Sequence, residues 1–276
     1  MDSAAIRSIA VHIPTEELSE RLLDVAGPLA SAFHARLVGI HGTPSVVVYA
    51  DVTVPVSAEF ITAQQEAYQK AADGIAQRFR ARAAFLGLES DWRATAPGDE
   101  PPMRAVIASC RTADLVVASQ WDDAIPAATG YGPADLVLGA GRPVLLVPTA
   151  GRFAEVGRNV VIAWNGAREA ARAAFDAIPL IHDGATVHLL TVGDAGAGSA
   201  AALAAAFSRH GIEVMVSTIR GAEIPPADEL LSRSADLGAD LLVMGCYGHS
   251  RLRETVFGGV TNSILRQMTL PVLMSH

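Results

Sequence analysis

One apolar pattern occurs twice in this chain. Ala113-Asp114-Leu115-Val116-Val117 returns as Ala239-Asp240-Leu241-Leu242-Val243, and Arg142-Pro143-Val144-Leu145-Leu146-Val147 returns as Leu270-Pro271-Val272-Leu273-Met274-Ser275. The opening runs Ser8-Ile9-Ala10-Val11 and Val160-Val161-Ile162-Ala163 also correspond. Short, unbroken apolar runs of this kind suit parallel strands buried on both faces. Two like units are therefore expected, over 1–150 and 157–276. Thr149 to Gly157, where two glycines break the pattern, is the expected linker.

The second unit alternates strand and helix. Strand Val160 to Trp164 precedes a helix whose Ala170, Ala171, Ala174, Phe175 and Ile178 share a face until Pro179. Strand Thr186 to Val192 leads to an alanine-rich helix, Ser199 to His210, closed by Gly211. Strand Glu213 to Thr218 leads to a helix from Pro225-Pro226 to Gly238. A strand over Ala239 to Met244, a helix carrying Val260, Ile264, Leu265 and Met268, and a strand over Val272 to Ser275 complete the unit. The fold class is α/β: two tandem doubly wound, Rossmann-like units, each with a five-stranded parallel sheet and ligands expected beyond the carboxyl ends of the strands. The first unit carries an insertion over 44–70, with an apolar patch Val46-Val47-Val48-Tyr49, before a polar helical run from Ala63 to Arg82. A lid, a dimer arm and a plain surface insertion all fit it.

Between strand and helix in the second unit lies GCYGHSRLRETVFGGVT, Gly245 to Thr261. Glycines at 245, 248 and 258, with Gly259 opening the helix, suggest a phosphate cradle. Such a loop lets backbone approach a ligand closely, and the helix N-terminus offers N–H groups and the positive end of its dipole. The spacing G-x2-G-x9-G followed by a small residue resembles the nucleotide loop of universal stress proteins. That resemblance implies an adenine-nucleotide site for ATP or AMP in the second unit, with a regulatory or sensing role in stress. It places adenine at Asn165 and Val192, ribose at Met244, Gly245 and Gly248, and phosphates at Gly258, Gly259, Val260 and Thr261. Asn165 stands where the family pattern has aspartate, and Gly259 where it has a hydroxyl residue. His249 could approach phosphate as acid, base or donor, or simply face water. Arg251 and Arg253 could offset phosphate charge, or form a solvated face with Glu254. The first unit has lost the loop: Ala118-Ser119-Gln120-Trp121-Asp122-Asp123 puts two acids and a tryptophan where phosphate would lie. It is expected to be a degenerate partner, pairing with the second unit along the last strands as an internal pseudo-dimer. A homodimer of the whole chain stays open, and so does a nucleotide-independent role through dimer surfaces or another small metabolite.

Composition narrows the alternatives. A formal net charge of −8 without a basic patch argues against nucleic acid or an anionic membrane as partner. Neither a signal peptide nor a long apolar segment is evident, so a cytosolic protein is expected. Cys110 and Cys246, the two cysteines, lack metal-ligand spacing, and the eight histidines show none either. Cys246 lies inside the glycine loop, as an accessible thiol or as a small filler. No G-x-S-x-G elbow is present, and binding is favoured over catalysis; a slow ATPase is the enzyme alternative. Gly196-Ala197-Gly198-Ser199-Ala200-Ala201 imitates a dinucleotide fingerprint, but it follows the second strand of its unit, and Glu213 sits at the wrong end of its strand for ribose.

Overall fold

The computed structural model describes residues 6–46, 57–95, 101–194, 196–220, 224–246 and 259–276. In the first half the strands are β1 (Ser8–His12), β2 (Arg36–Gly42), β3 (Ser90–Thr95), β4 (Leu115–Ser119) and β5 (Val144–Val147). They alternate with α1 (Ser19–Phe33), α2 (Ala58–Phe85), α3 (Pro102–Cys110) and α4 (Pro133–Ala140). The second half repeats the order with β6 (Asn159–Ala163), α5 (Arg168–Ala177), β7 (Thr186–Val192), α6 (Ala197–Ser208) and β8 (Val214–Ile219). It closes with α7 (Pro226–Asp236), β9 (Leu241–Gly245), α8 (Val260–Gln267) and β10 (Val272–Ser275).

The two five-stranded parallel sheets are halves of a single ten-stranded sheet, in the order β3-β2-β1-β4-β5-β10-β9-β6-β7-β8. Every pairing within a half is parallel. The seam is antiparallel, with Val272 opposite Leu146 and Met274 opposite Val144. Both seam strands are buried along their whole length, which is why they read as unbroken apolar runs. Across the seam, the Gln120 amide donates to the Arg266 carbonyl at 2.9 Å and accepts from the Thr149 amide at 3.1 Å. The Arg266 guanidinium lies over the Trp121 ring at 4.9 Å. The tryptophan in the first unit's shortened loop thus grips the other half.

Each half would expose an apolar sheet edge if separated, a template for pairing with another chain. Residues 1–150 and 157–276 expressed apart are expected to reassociate when mixed, or to self-pair or aggregate alone. Light scattering after size exclusion decides. Two soluble, indifferent monomers would count against the seam as a stabilising contact.

The repeated Ala-Asp-Leu has a structural cause. Asp114 accepts the amides of Arg7 and Ser8, and Asp240 accepts those of Gly157, Arg158 and Asn159, at 2.6–3.2 Å. Each aspartate pins the start of its unit's first strand to the start of its fourth. The ladder sets the correspondence between halves: Ile9 pairs with Leu115 and Val160 with Leu241. Ile9 is therefore the counterpart of Val160. The expected match of Ser8 with Val160 is off by one residue, which in a strand exchanges the two faces.

The other element bounds hold to within a few residues, but α5 buries Ala170, Ala173, Ala174 and Ala177 and leaves Phe175 exposed, so its inner face is not the expected Ala170, Ala171, Ala174, Phe175 and Ile178. The polar helical run over 63–82 is the middle of α2, 28 residues against 12 for its counterpart α6. Most of the 44–70 insertion's patch, Val47 to Tyr49, lies outside the described residues. The segment between β5 and β6, including the expected linker, contains no helix or strand. No described helix is long and apolar enough to cross a membrane.

Candidate functional site

In each half the chain leaves the first and fourth strands toward opposite faces of the sheet. After β6 it turns into α5 on one face; α8 packs with α7 on the other. The carboxyl ends of β6 and β9 therefore splay connections apart, the place where open α/β sheets bind ligands. The floor of this crevice follows from strand alternation. Leu190, Ala163 and Met244 stand side by side on β7, β6 and β9, all on the α7–α8 face. Val192, one step further along β7, is partly buried on the same face. This apolar row could seat the flat face of a base.

Trp164, the residue that follows β6, points the other way. It belongs to the core under α5 and α6, and its indole N–H donates to Ser199 Oγ at 3.0 Å. It therefore neither blocks this floor nor stacks on it. The sequence that imitates a dinucleotide fingerprint serves the same contact. A Cβ on Gly196 would come within 2.8 Å of the backbone of Asn165 and Gly166, so the β7–α6 loop rests directly on the β6–α5 turn.

Asn165 is exposed at the crevice rim, and its Oδ1 accepts the Ala167 amide at 3.0 Å, an Asx turn that starts α5. Glu169, in the first turn of α5, is buried. Burial pushes its pKa up, but hydrogen bonds from Arg168 Nε (2.7 Å) and its own backbone amide, with the Arg168 and His276 charges, hold the carboxyl below the usual range. Gly245 ends β9 beneath this turn. A Cβ there would fall 2.3 Å from the Ala170 nitrogen and 2.4 Å from the Glu169 carbonyl carbon, which is reason enough for glycine without any ligand.

At the far wall α8 begins. Gly259 is its N-cap with φ −51° and ψ 154°, an extended conformation open to any residue, and it supplies no capping side chain. Val260 is half-buried and Thr261 buried. The first-turn amides have no intrahelical acceptor and the dipole's positive end lies here, which favours an anion. Of the residues singled out from sequence, the structure brings Val192, Met244, Gly245 and Asn165 together around the end of β6, with Gly259, Val260 and Thr261 at the start of α8. Gly248, His249, Gly258, Arg251 and Arg253 lie outside the described residues. Cys246 is buried, as the filler reading expects, and its carbonyl contacts the His276 ring nitrogen at 3.0 Å.

The first half fills the same crevice with its own side chains. By the ladder correspondence His12 takes the place of Ala163, and Ser119 that of Gly245. The Tyr131 hydroxyl donates to the Ser119 carbonyl, and the Tyr131 ring lies 5.2 Å from that of His12. Burial pushes the Tyr131 hydroxyl far up and the His12 imidazole down to about 3, so both are neutral near pH 7. His12 and Tyr131 were not singled out from sequence. The signal was there, since correct phasing of β1 would have put a histidine on the crevice face.

Residues 157–276 match the family model described as Universal stress protein family. A universal stress protein of Synechocystis sp. is 46% identical over 48 residues, 17% of this chain and 17% of that protein. One of Methanocaldococcus jannaschii is 33% identical over 49 residues, 18% of this chain and 30% of that protein. The chain thus spans less than a third of the length of these curated relatives. The crystal structure of a universal stress protein from Archaeoglobus fulgidus superposes with a TM-score of 0.66 at 16% identity, covering 97% of this chain and 95% of that one. At that identity the likeness concerns the fold.

Proposed function

We propose that the second half, whose residues 157–276 match the Universal stress protein family model, binds an adenine nucleotide, ATP or AMP, as a regulator or sensor. One observation carries the reading: the crevice between β6 and β9 combines an apolar floor with a helix N-terminus, whereas its counterpart in the first half is filled by His12 and Tyr131. Adenine would lie over Ala163 and Val192, with its amino group toward Asn165, and ribose would pass Met244 and Gly245. Phosphates would meet the start of α8 at Gly259, Val260 and Thr261, with Gly248 and Gly258 of the glycine loop. One nucleotide per chain follows.

Two substitutions test it. Asn165→Asp keeps an acceptor oxygen for the Ala167 amide and adds a charge at the start of α5, while Gly259→Ser adds a hydroxyl where φ and ψ already suit an N-cap. A charged hydrogen bond contributes about 1.5–3 kcal/mol against about 0.5–1.5 for a neutral one, and the hydroxyl adds about 1 kcal/mol. The double variant is expected to bind ATP about ten-fold more tightly or better by calorimetry, at one site. A double variant that is folded and binds no better than the parent, or a parent with two equivalent sites, would defeat the proposal.

A further inference from the structure

The first half has a second opening, on the opposite face of the sheet from His12 and Tyr131. It is a cavity of about 390 Å³ between the β1–α1 loop, the end of β2, α2 and the segment after β4. It too lies at the carboxyl ends of the first and fourth strands, and its size falls within the range of small-ligand pockets, about 300–1,000 Å³. The second half closes the equivalent space with Trp164, Ser199 and the close approach of Gly196 to Asn165. The cavity is therefore peculiar to the unit whose nucleotide crevice is filled.

Its lining states what it can hold. Leu18, Pro44, Ile75, Ile125 and Pro126 supply apolar walls. Glu16, Glu17 and Asp122 supply carboxylates, and the described lining contains no lysine or arginine. Glu16 is paired with Arg78 on α2 at 2.8 Å. His41 closes the inner end. Its Nδ1 bonds the Ile13 carbonyl at 2.8 Å, which makes Nδ1 the protonated nitrogen and leaves Nε2 an acceptor, and burial holds the ring neutral by lowering its pKa. The donors demanded by an imidazole nitrogen and carboxylates, between apolar walls, are amino and hydroxyl groups on a ring. A phosphate would meet three carboxylates and no described lysine or arginine.

We propose that this cavity is a second ligand site, for an unphosphorylated nucleoside: a donor-rich, uncharged ring compound that the same chain distinguishes from its phosphorylated forms. The site is independent of the nucleotide reading of the second half.

Saturation-transfer NMR on the full chain, with adenosine, guanosine, cytidine and uridine each compared with its 5′-monophosphate, tests this. At least one nucleoside is expected to bind here at least ten-fold more tightly than its monophosphate does. Ala71, exposed on α2 at the cavity wall, provides the blocking variant: Ala71→Trp is expected to abolish nucleoside binding and to leave any ATP binding by the second half unchanged. Asp122→Lys, at a partly exposed position, is expected to shrink the preference over monophosphate at least three-fold. Far-ultraviolet circular dichroism verifies that both variants are folded. The proposal is overturned if none of the four nucleosides binds, if monophosphates compete equally at the Ala71 site, or if folded Ala71→Trp binds as the parent does.

Discussion

Gly245→Ala is expected to destabilise the second half by about 3 kcal/mol, the upper range for overpacking, and Gly245→Val by more. The added Cβ would stand 2.3 Å from the Ala170 nitrogen and 2.4 Å from the Glu169 carbonyl carbon. Both are backbone atoms of the first turn of α5, so no side-chain rotation relieves the overlap. Helix α5 would have to lift from β9, against which its small face of Ala170, Ala173, Ala174 and Ala177 is buried. Urea unfolding of the variants beside Gly259→Ser makes the comparison internal. Gly259 has the φ of an ordinary residue, and serine there is expected to change stability by only a few tenths of a kcal/mol. Should Gly245→Ala stay within about 0.5 kcal/mol of the parent, α5 can retreat and the packing explanation fails. The result also bears on function, because loss of nucleotide binding in a Gly245 variant reports the helix as much as any contact with ribose.

Most of the fold was legible because its signals are strong and local. Parallel strands buried on both faces read as unbroken apolar runs, and Pro179, Gly211 and Pro271 punctuate the helices where the structure ends them or turns. Even the seam could be anticipated, since Val144–Val147 and Val272–Ser275 are too apolar for open sheet edges. What resisted was phase and side-chain commitment. Matching Ser8 instead of Ile9 to Val160 left His12 on the wrong face, and with it the filled crevice of the first half. The fate of Trp164 needed the partner Ser199, 35 positions away. Gly196 and Gly245 look alike in sequence to ligand-binding glycines, but each is required by backbone that approaches from elsewhere. For the candidate site the sequence supplied the place and the helix N-terminus. It could not supply which polar groups were already engaged, as Asn165 is by Ala167.

The two halves have diverged by spending the same architecture differently. The second has the small Ala163 where the first has His12, and it seals the space on the other face with Trp164. The first does the reverse: it seals the crevice with His12 and Tyr131 and leaves the cavity beside His41. The two proposed sites would make the halves complementary in ligand chemistry, one with a helix N-terminus and one lined by carboxylates.

Sealing a crevice with a histidine makes the first half sensitive to acid. His12 is buried, its Nδ1 has no hydrogen-bond partner among the described residues, and His41 and Tyr131 are its titratable neighbours. Burial first, and repulsion from His41 second, lower its pKa from 6.5 to about 3. A pKa depressed on folding means that the unfolded chain binds the proton more readily. The stability due to neutral His12 is therefore intact above pH 6.5 and declines as pH falls toward about 3. At pH 5 the folded ring is still neutral while the unfolded one is protonated, a loss of about 2 kcal/mol relative to pH 7. His41, shifted in the same direction by burial, adds to it. Carboxylates remain largely ionised above pH 5, so the window between pH 7 and pH 5 isolates the histidines. Replacing His12 by leucine removes both the titration and a buried, unmatched nitrogen, whose cost is about 1–3 kcal/mol. His12→Leu is expected to be at least as stable as the parent at pH 7 and to lose about 2 kcal/mol less on going to pH 5, measured by urea unfolding at both values. Equal pH dependence in parent and variant would mean that His12 is hydrated or protonated in the folded protein, and that Tyr131 and His12 do not form the dry plug described for this crevice.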